Sequence, residues 1–209
     1  MLPPLPAGDW NDAYITRNDE SGEPYFQKVV RTQIPGVESS WHAETFEYLS
    51  LKLGSKLRTN VYEAQLPGSS HTVVAKFARF SWEVGYLDKE CAAHQWIEGK
   101  SIGPSFLGNI SEEGRTIGFV LEHIAGAHHA SPTDYAACKQ VLSELHQLGI
   151  VHGDVNKHNF LAVDNRAVLI DFDGAYRTQD KQAFEKQMQS LEMQLAEASG
   201  RGGVSTVDS

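Results

Sequence analysis

Three side chains in the second half of the chain have the types and order that oxygen-ligand chemistry requires. Asp154 and Asn159 sit in the run Val151-His152-Gly153-Asp154-Val155-Asn156-Lys157-His158-Asn159-Phe160. Asp171 follows the apolar run Val168-Leu169-Ile170 and is itself followed by Phe172-Asp173-Gly174. A hard cation such as Mg²⁺ takes carboxylate and amide oxygens as ligands. Reaction at a hydroxyl also needs a carboxylate beside the attacking oxygen. Asp154, Asn159 and Asp171 supply those groups, and phosphoryl transfer is the chemistry that uses them together. Taken alone, an Asp after a His is as readily a turn or capping residue. The set of three carries the reading.

These residues need elements to position them. A helix is expected just before the first motif: Ser131 is a candidate N-cap, Pro132 suits the first helical position, and Asp134 favours the first turn. Its apolar stripe is Cys138, Val141, Leu142 and Leu145, and Gly149 ends it. Two short strands, 160–163 and 167–170, turn at Asp164-Asn165. A last helix spans about 181–197, with Phe184, Met188, Leu191 and Leu195 as its buried stripe. A Met on such a stripe is core far more often than a binding surface.

The first half reads mainly as strands. Residues 61–64 and 72–80 form a pair turning at Pro67-Gly68-Ser69-Ser70. A helix follows over about 82–98, with Ser81 as candidate N-cap and Gly99 at its end. Short strands are expected near 105–110 and 116–124, turning at 111–114. Lys76 lies on a strand and shares a face with Val74 and Ala78. Glu90 lies on the helix, on one face with Tyr86, Ala93 and Ile97. A carboxylate among inward apolar residues needs a partner, and Lys76 is the natural one. Two bland readings stand beside this: Lys76 as a solvated strand lysine, and Glu90 facing water on a slightly rotated helix.

His-Gly-Asp, four residues, Asn, then Ile-Asp-Phe resembles the catalytic loop and metal motif of the protein-kinase-like superfamily. The His-Gly-Asp form is similar to that of Rio-type atypical kinases and aminoglycoside phosphotransferases. The His-Asn-Phe continuation resembles small kinase-like proteins of fungi. The resemblance implies an α+β, two-lobe fold with a shortened C-terminal lobe. It places a nucleotide lobe at 14–124, a mostly helical catalytic lobe at 125–198 and a hinge near 122–126. It implies ATP and Mg²⁺, with Asp154 as catalytic base or hydroxyl-orienting group and Asn159 and Asp171 as metal ligands. Lys76 would hold the phosphates and Glu90 would orient it. Val61 and Val74 would line the nucleotide site. Leu121 stands in the gatekeeper position, and the backbone of Glu122 and Ile124 would meet adenine.

The chain departs from the family in several places. Registered on Val61, the glycine-rich loop keeps only Gly54, with Lys56 and Thr59 where the other glycines belong. Backbone amides then approach phosphates less closely, and Lys56 or Arg58 is expected to compensate with charge. Gly153 replaces an arginine, so pairing to a phosphorylated loop is not expected. Asn156 stands where many protein kinases have a phosphate-binding lysine, with Lys157 one position later. Asp173 replaces a glycine. Few residues follow Asp173, so the usual peptide-docking platform is not expected. The resemblance spans about 51–197 and leaves residues 1–45 unexplained. Three functions remain open: a protein Ser/Thr kinase, a small-molecule kinase, and a pseudokinase acting as a binding module.

Bulk composition narrows the partners. A net charge of -9 and the lack of any Lys/Arg run argue against a general grip on nucleic acid. No apolar run reaches membrane-span length, and no signal peptide is evident at the start. Cys91 and Cys138 read as buried free thiols. A cytoplasmic location follows, with the nucleus also open to such a chain. His123, His128 and His129 lack an obvious fourth ligand for zinc and read as solvent-exposed or hinge histidines. His152 reads as structural, and His158 is unassigned. Trp10, Trp41, Trp82 and Trp96 read as packing residues. Residues 1–13 are expected to be loose and 199–209 disordered.

Overall fold

The computed structural model describes residues 2–197, so the tail expected to be disordered lies outside the described residues. Contacts divide the chain into two units, up to Pro35 and from Gly36 onward.

The first unit is a β-hairpin of β1 (Asp12–Arg17) and β2 (Pro24–Val30), antiparallel with a bulge between Tyr14 and Ile15. Asn18 makes its turn: the side-chain oxygen accepts from the N–H groups of Glu20 and Ser21, at 2.9 and 3.0 Å. Trp10 packs on Phe26.

The second unit carries a six-stranded sheet. Its strands are β3 (Thr45–Glu47), β4 (Lys52–Arg58), β5 (Val61–Gln65), β6 (Thr72–Phe77), β7 (Phe106–Glu112) and β8 (Arg115–Glu122). They lie in the order β3-β7-β8-β6-β5-β4, antiparallel except for the β3–β7 pair. Alternation on β6 fixes which side chains face the site. Val73, Ala75 and Phe77 are buried on one face, which leaves Val74 and Lys76 on the other.

Between β6 and β7 runs α1 (Val84–Trp96), entered through a 3₁₀ turn at Ser81–Glu83. Ser81 is not the cap expected. Glu83 reaches back instead, its carboxylate accepting from the N–H groups of Arg79 (2.7 Å) and Phe80 (3.1 Å). The buried face of α1 holds Leu87, Glu90, Cys91, Ala93 and His94, while Tyr86 is 60% exposed and leaves the inward stripe expected for it. Burial pushes the Cys91 and Cys138 thiols up to about 12. Residues 36–44 brace this helix. Asp88 accepts from the N–H groups of Glu38 and Ser39 at 2.8 Å each, and Trp41 donates to the Cys91 carbonyl at 3.1 Å.

After β8 come β9 (His128–His129), α2 (Tyr135–Gln147), β10 (Ile150–Val151), β11 (Phe160–Val163), β12 (Arg166–Leu169), β13 (Tyr176–Arg177) and α3 (Lys181–Ala196). Asp164 and Asn165 both have positive φ, the form that closes a two-residue hairpin between β11 and β12. His128 and His129 are solvent-exposed, one of the two readings expected for them, and they are not loose hinge residues, because β9 pairs with β11. The Asp134 carboxylate accepts from the N–H and hydroxyl of Ser131 before α2, and Gly149 ends that helix with φ of 73°. One core joins Cys138, Leu142 and Leu145 of α2, Phe160, Leu169 and Phe172, Leu191 and Leu195 of α3, and Ala93 and Ile97 at the end of α1. Trp82 departs from the packing role expected: it is 69% exposed and stacks on Phe80. Strands with one helix, then helix, hairpin and helix, make a mixed α and β architecture compatible with a kinase-like fold. Among the described residues no helix is long and apolar enough to cross a membrane.

Candidate active site

Lys76 is the centre of the site. Its ammonium lies 2.6 Å from Glu90 Oε2 and 2.6 Å from Asp171 Oδ1. Three elements therefore meet on one cation: β6, α1 and the loop after β12. Burial alone works against the ammonium. The two carboxylates overcome it and hold Lys76 above its ordinary range. Burial also pushes Glu90 up to about 6, with the Lys76 charge pulling the other way. Asp171 feels burial too, but Lys76 and Arg58 more than offset it and keep the carboxyl below its usual value.

The loop that carries Asp171 is anchored by its neighbours. Asp171 has left-handed backbone angles, φ 67° and ψ 62°, a conformation uncommon for a residue with a side chain. Phe172 behind it is fully buried and meets His94 and His152 at ring-centroid distances of 5.3 and 5.0 Å. His94 in turn meets Phe106 and Phe119, so one aromatic stack links the sheet, α1 and both functional loops. Burial lowers the His94 pKa to about 3, so this ring packs as a neutral aromatic. His152 holds the loop directly. Its Nε2–H donates to the Ile170 carbonyl at 3.0 Å, which fixes the tautomer because the carbonyl only accepts.

Asp154 and Asn159 form a second group. The Asn159 amide donates to the Asp154 carbonyl oxygen at 2.9 Å and to its carboxylate at 3.2 Å. Asn156 donates to the same carboxylate at 3.0 Å, and its own oxygen accepts from the His158 N–H. Asp154 itself is exposed, while Asn159 is buried. The two groups are tied through the backbone, since the Ile170 N–H donates to the Asn159 carbonyl at 3.0 Å. Asp173 sits between them in charge: burial raises its pKa first, then Asp171, with a smaller push from Asp154. Lys157 points elsewhere, donating to the Glu197 carbonyl at 2.6 Å.

Beside Lys76 opens a cavity of about 280 Å³. Val61, Val74, Lys76, Glu90, Leu121, Glu122 and Ile124, all singled out from sequence, line it together with Asp171. Asp154 and Asn159 are not among its lining residues. Leu161 and Ile170 were missed, although one lies on the strand after Asn159 and the other immediately precedes Asp171. Arg58 also lines it. The Glu122 N–H is already donated to the Ser105 carbonyl at 2.9 Å.

The family comparison falls on this same apparatus. Residues 119–193 match the RIO domain. The RIO match is to an atypical kinase-like domain, and it agrees with the Rio-type, protein-kinase-like resemblance read from the sequence. It takes in Leu121, Asp154, Asn159 and Asp171, and it begins after Arg58, Lys76 and Glu90. Among curated proteins, no match to the chain is found.

The residues fit a magnesium nucleotide. Mg²⁺ is commonly held by one or two protein oxygens plus substrate phosphates. Asp171 and the Asn159 amide oxygen have the donor chemistry that would hold it, and among the described residues no cluster of three His, Cys, Asp or Glu forms a metal cage by itself. The Lys76–Glu90 pair also predicts a pH effect. Protonation neutralises Glu90, so its hold on Lys76 is lost as pH falls through about 6. Nucleotide affinity should therefore drop between about pH 7 and 5. Glu90→Gln should lower affinity at pH 7.5 and remove that pH-dependent limb. A titration in which both proteins share the same pH profile counts against the role given to Glu90.

Proposed function

We propose that this chain is an ATP-dependent phosphotransferase that moves the γ-phosphoryl group to a hydroxyl acceptor. In this reading residues 14–124 act as the nucleotide lobe and residues 125–198 as the catalytic lobe. The observation that carries the reading is Lys76, ion-paired to both Glu90 and Asp171 beside a cavity lined by the expected nucleotide contacts. The RIO-domain match over 119–193 supports it.

In this reading Val61, Val74 and Leu121 hold the base, and Lys76 holds phosphate oxygens. Glu90 keeps Lys76 in place. Asn159 and Asp171 would ligate Mg²⁺, which supplies neutralisation of the phosphate charge when bound. Asp154 orients the acceptor hydroxyl and takes its proton. Exposure of Asp154 suits an acceptor arriving from solvent. The rival reading is a pseudokinase. It draws on the missing glycines and on Asp171, whose carboxylate already faces two cations.

Thermal denaturation tests the nucleotide half. Mg-ATP at about 100 times its dissociation constant should add about 2.7 kcal/mol. For a chain of this size that raises the melting temperature by roughly 5–10 °C. A shift with no phosphoryl transfer to any protein or small-molecule hydroxyl favours the pseudokinase. No shift with any nucleotide overturns the proposal.

A further inference from the structure

Where the resemblance expects a glycine-rich loop, the chain keeps only Gly54 and presents charged side chains instead. On β4, Lys52 through Leu57 are exposed, and only the last residue, Arg58, turns inward. The strand bulges on both sides of Lys56, between Leu53 and Lys56 and again between Lys56 and Arg58. A bulge re-aims the side chains after it. The Arg58 guanidinium then reaches across the cavity mouth. Nη2 donates to the His158 carbonyl at 2.8 Å, and Nη1 lies 3.7 Å from Asp171 Oδ2. His158 is one hundred residues away in sequence and belongs to the turn that ends in Asn159.

We propose that Arg58 is the phosphate-binding group of the nucleotide site, doing with its guanidinium what backbone amides do in a glycine-rich loop. The inference rests on the phosphotransferase reading and deepens it. Three observations support it. First, Arg58 ends β4 next to the Thr59-Asn60 turn, and Thr59 and Lys56 stand where the resemblance expects glycines, so the backbone is kept from close approach. Second, its cation stands beside Lys76 and over the carboxylate assigned to the metal. Asp171 Oδ1 meets Lys76 and Oδ2 faces Arg58, so both cations flank the same carboxylate. Third, its contact with Asp171 is loose. At 3.7 Å it is charge attraction rather than a hydrogen bond, so the Nη1 end can exchange one anion for another while Nη2 stays on His158. A guanidinium offers five N–H donors in a planar fork and binds phosphate by two at once. Lys56, the other candidate from sequence, is exposed and does not line the cavity.

Without nucleotide the same cation covers Asp171. A phosphate chain would draw Arg58 off the carboxylate, and Asp171 would then be the residue to hold Mg²⁺. Charge on Arg58 therefore serves the nucleotide and does not compete with it.

The test is calorimetric titration of the full chain with adenosine, AMP, ADP and Mg-ATP. Wild type, Arg58→Ala and Arg58→Lys are compared. Charge-assisted hydrogen bonds contribute about 1.5–3 kcal/mol, so Arg58→Ala should weaken Mg-ATP by about 10–100-fold. Adenosine, which has no phosphate, should bind both proteins alike and so shows that the variant is folded. Arg58→Lys keeps charge without the fork and should recover part of the loss. Unchanged or tighter Mg-ATP binding in Arg58→Ala overturns the proposal and leaves Arg58 as a cover for Asp171. Equal loss of adenosine and Mg-ATP also overturns it, in favour of a purely structural staple to His158. Wild type that binds none of the four overturns the phosphotransferase reading itself.

Discussion

Gly153→Ala should destabilise the protein by about 2–5 kcal/mol and loosen both functional loops. Gly153 has φ of 89°, a left-handed backbone that costs a side-chain-bearing residue about 1–2 kcal/mol. A Cβ there would also press into the Gly174 carbonyl oxygen, well inside van der Waals contact. Neither partner is a flexible side chain, so the backbone itself must move. Overpacking of this kind costs about 1–3 kcal/mol more. The melting temperature should fall by roughly 2–4 °C for each kcal/mol lost. The damage reaches function because Gly153 adjoins Asp154 and Gly174 follows Asp173. A melting temperature within 2 °C of wild type, a cost of no more than about 1 kcal/mol, would mean that the close approach of these loops is not needed for the fold.

That position also explains a departure seen in the sequence. Gly153 was read there only as the loss of an arginine and of pairing to a phosphorylated loop. In three dimensions the glycine has its own reason, since two loops cross backbone to backbone. One sequence shows that an arginine is missing. It does not show what stands opposite the gap.

Much of the site was legible because the local patterns are strong. Alternation on β6 placed Lys76 and Val74 on one face. The apolar run before Asp171 fixed a strand that ends at the site. Ser131, Pro132 and Gly149 bounded α2 closely. Other features depend on contacts that no local pattern announces. Ser81 looked like a helix cap, yet it is Glu83 that makes the capping bonds, reaching back to the N–H groups of Arg79 and Phe80. Tyr86 has the spacing of the inward stripe, but it lies in the first turn of α1, next to an entry turn that leaves Phe80 and Trp82 exposed. Residues 36–47 carry little periodicity, and their role comes from Asp88, Cys91 and β7, far away in sequence. Arg58 was noticed as a charge. Its direction follows from bulges in β4, which shift the face on which each later side chain lies.

Asp154→Asn is the most direct test of the account as a whole. The exposed carboxylate is held by the Asn156 and Asn159 amides at 3.0 and 3.2 Å, so its direction is set before any acceptor arrives. An asparagine keeps the size of the group but loses the charge and the basic oxygen. General acid–base groups contribute about 10²–10⁴-fold to rate, and turnover should fall by that factor. Mg-ATP affinity should stay within about twofold, since Lys76 and Asp171 are untouched, a change of less than half a kcal/mol. The measurement is phosphoryl transfer from labelled ATP by wild type and Asp154→Asn side by side, across protein and small-molecule hydroxyl acceptors, with binding measured on the same samples. The account predicts transfer by wild type, loss in the variant and equal binding in both. Equal transfer by the two proteins, or none by wild type despite firm Mg-ATP binding, would contradict it.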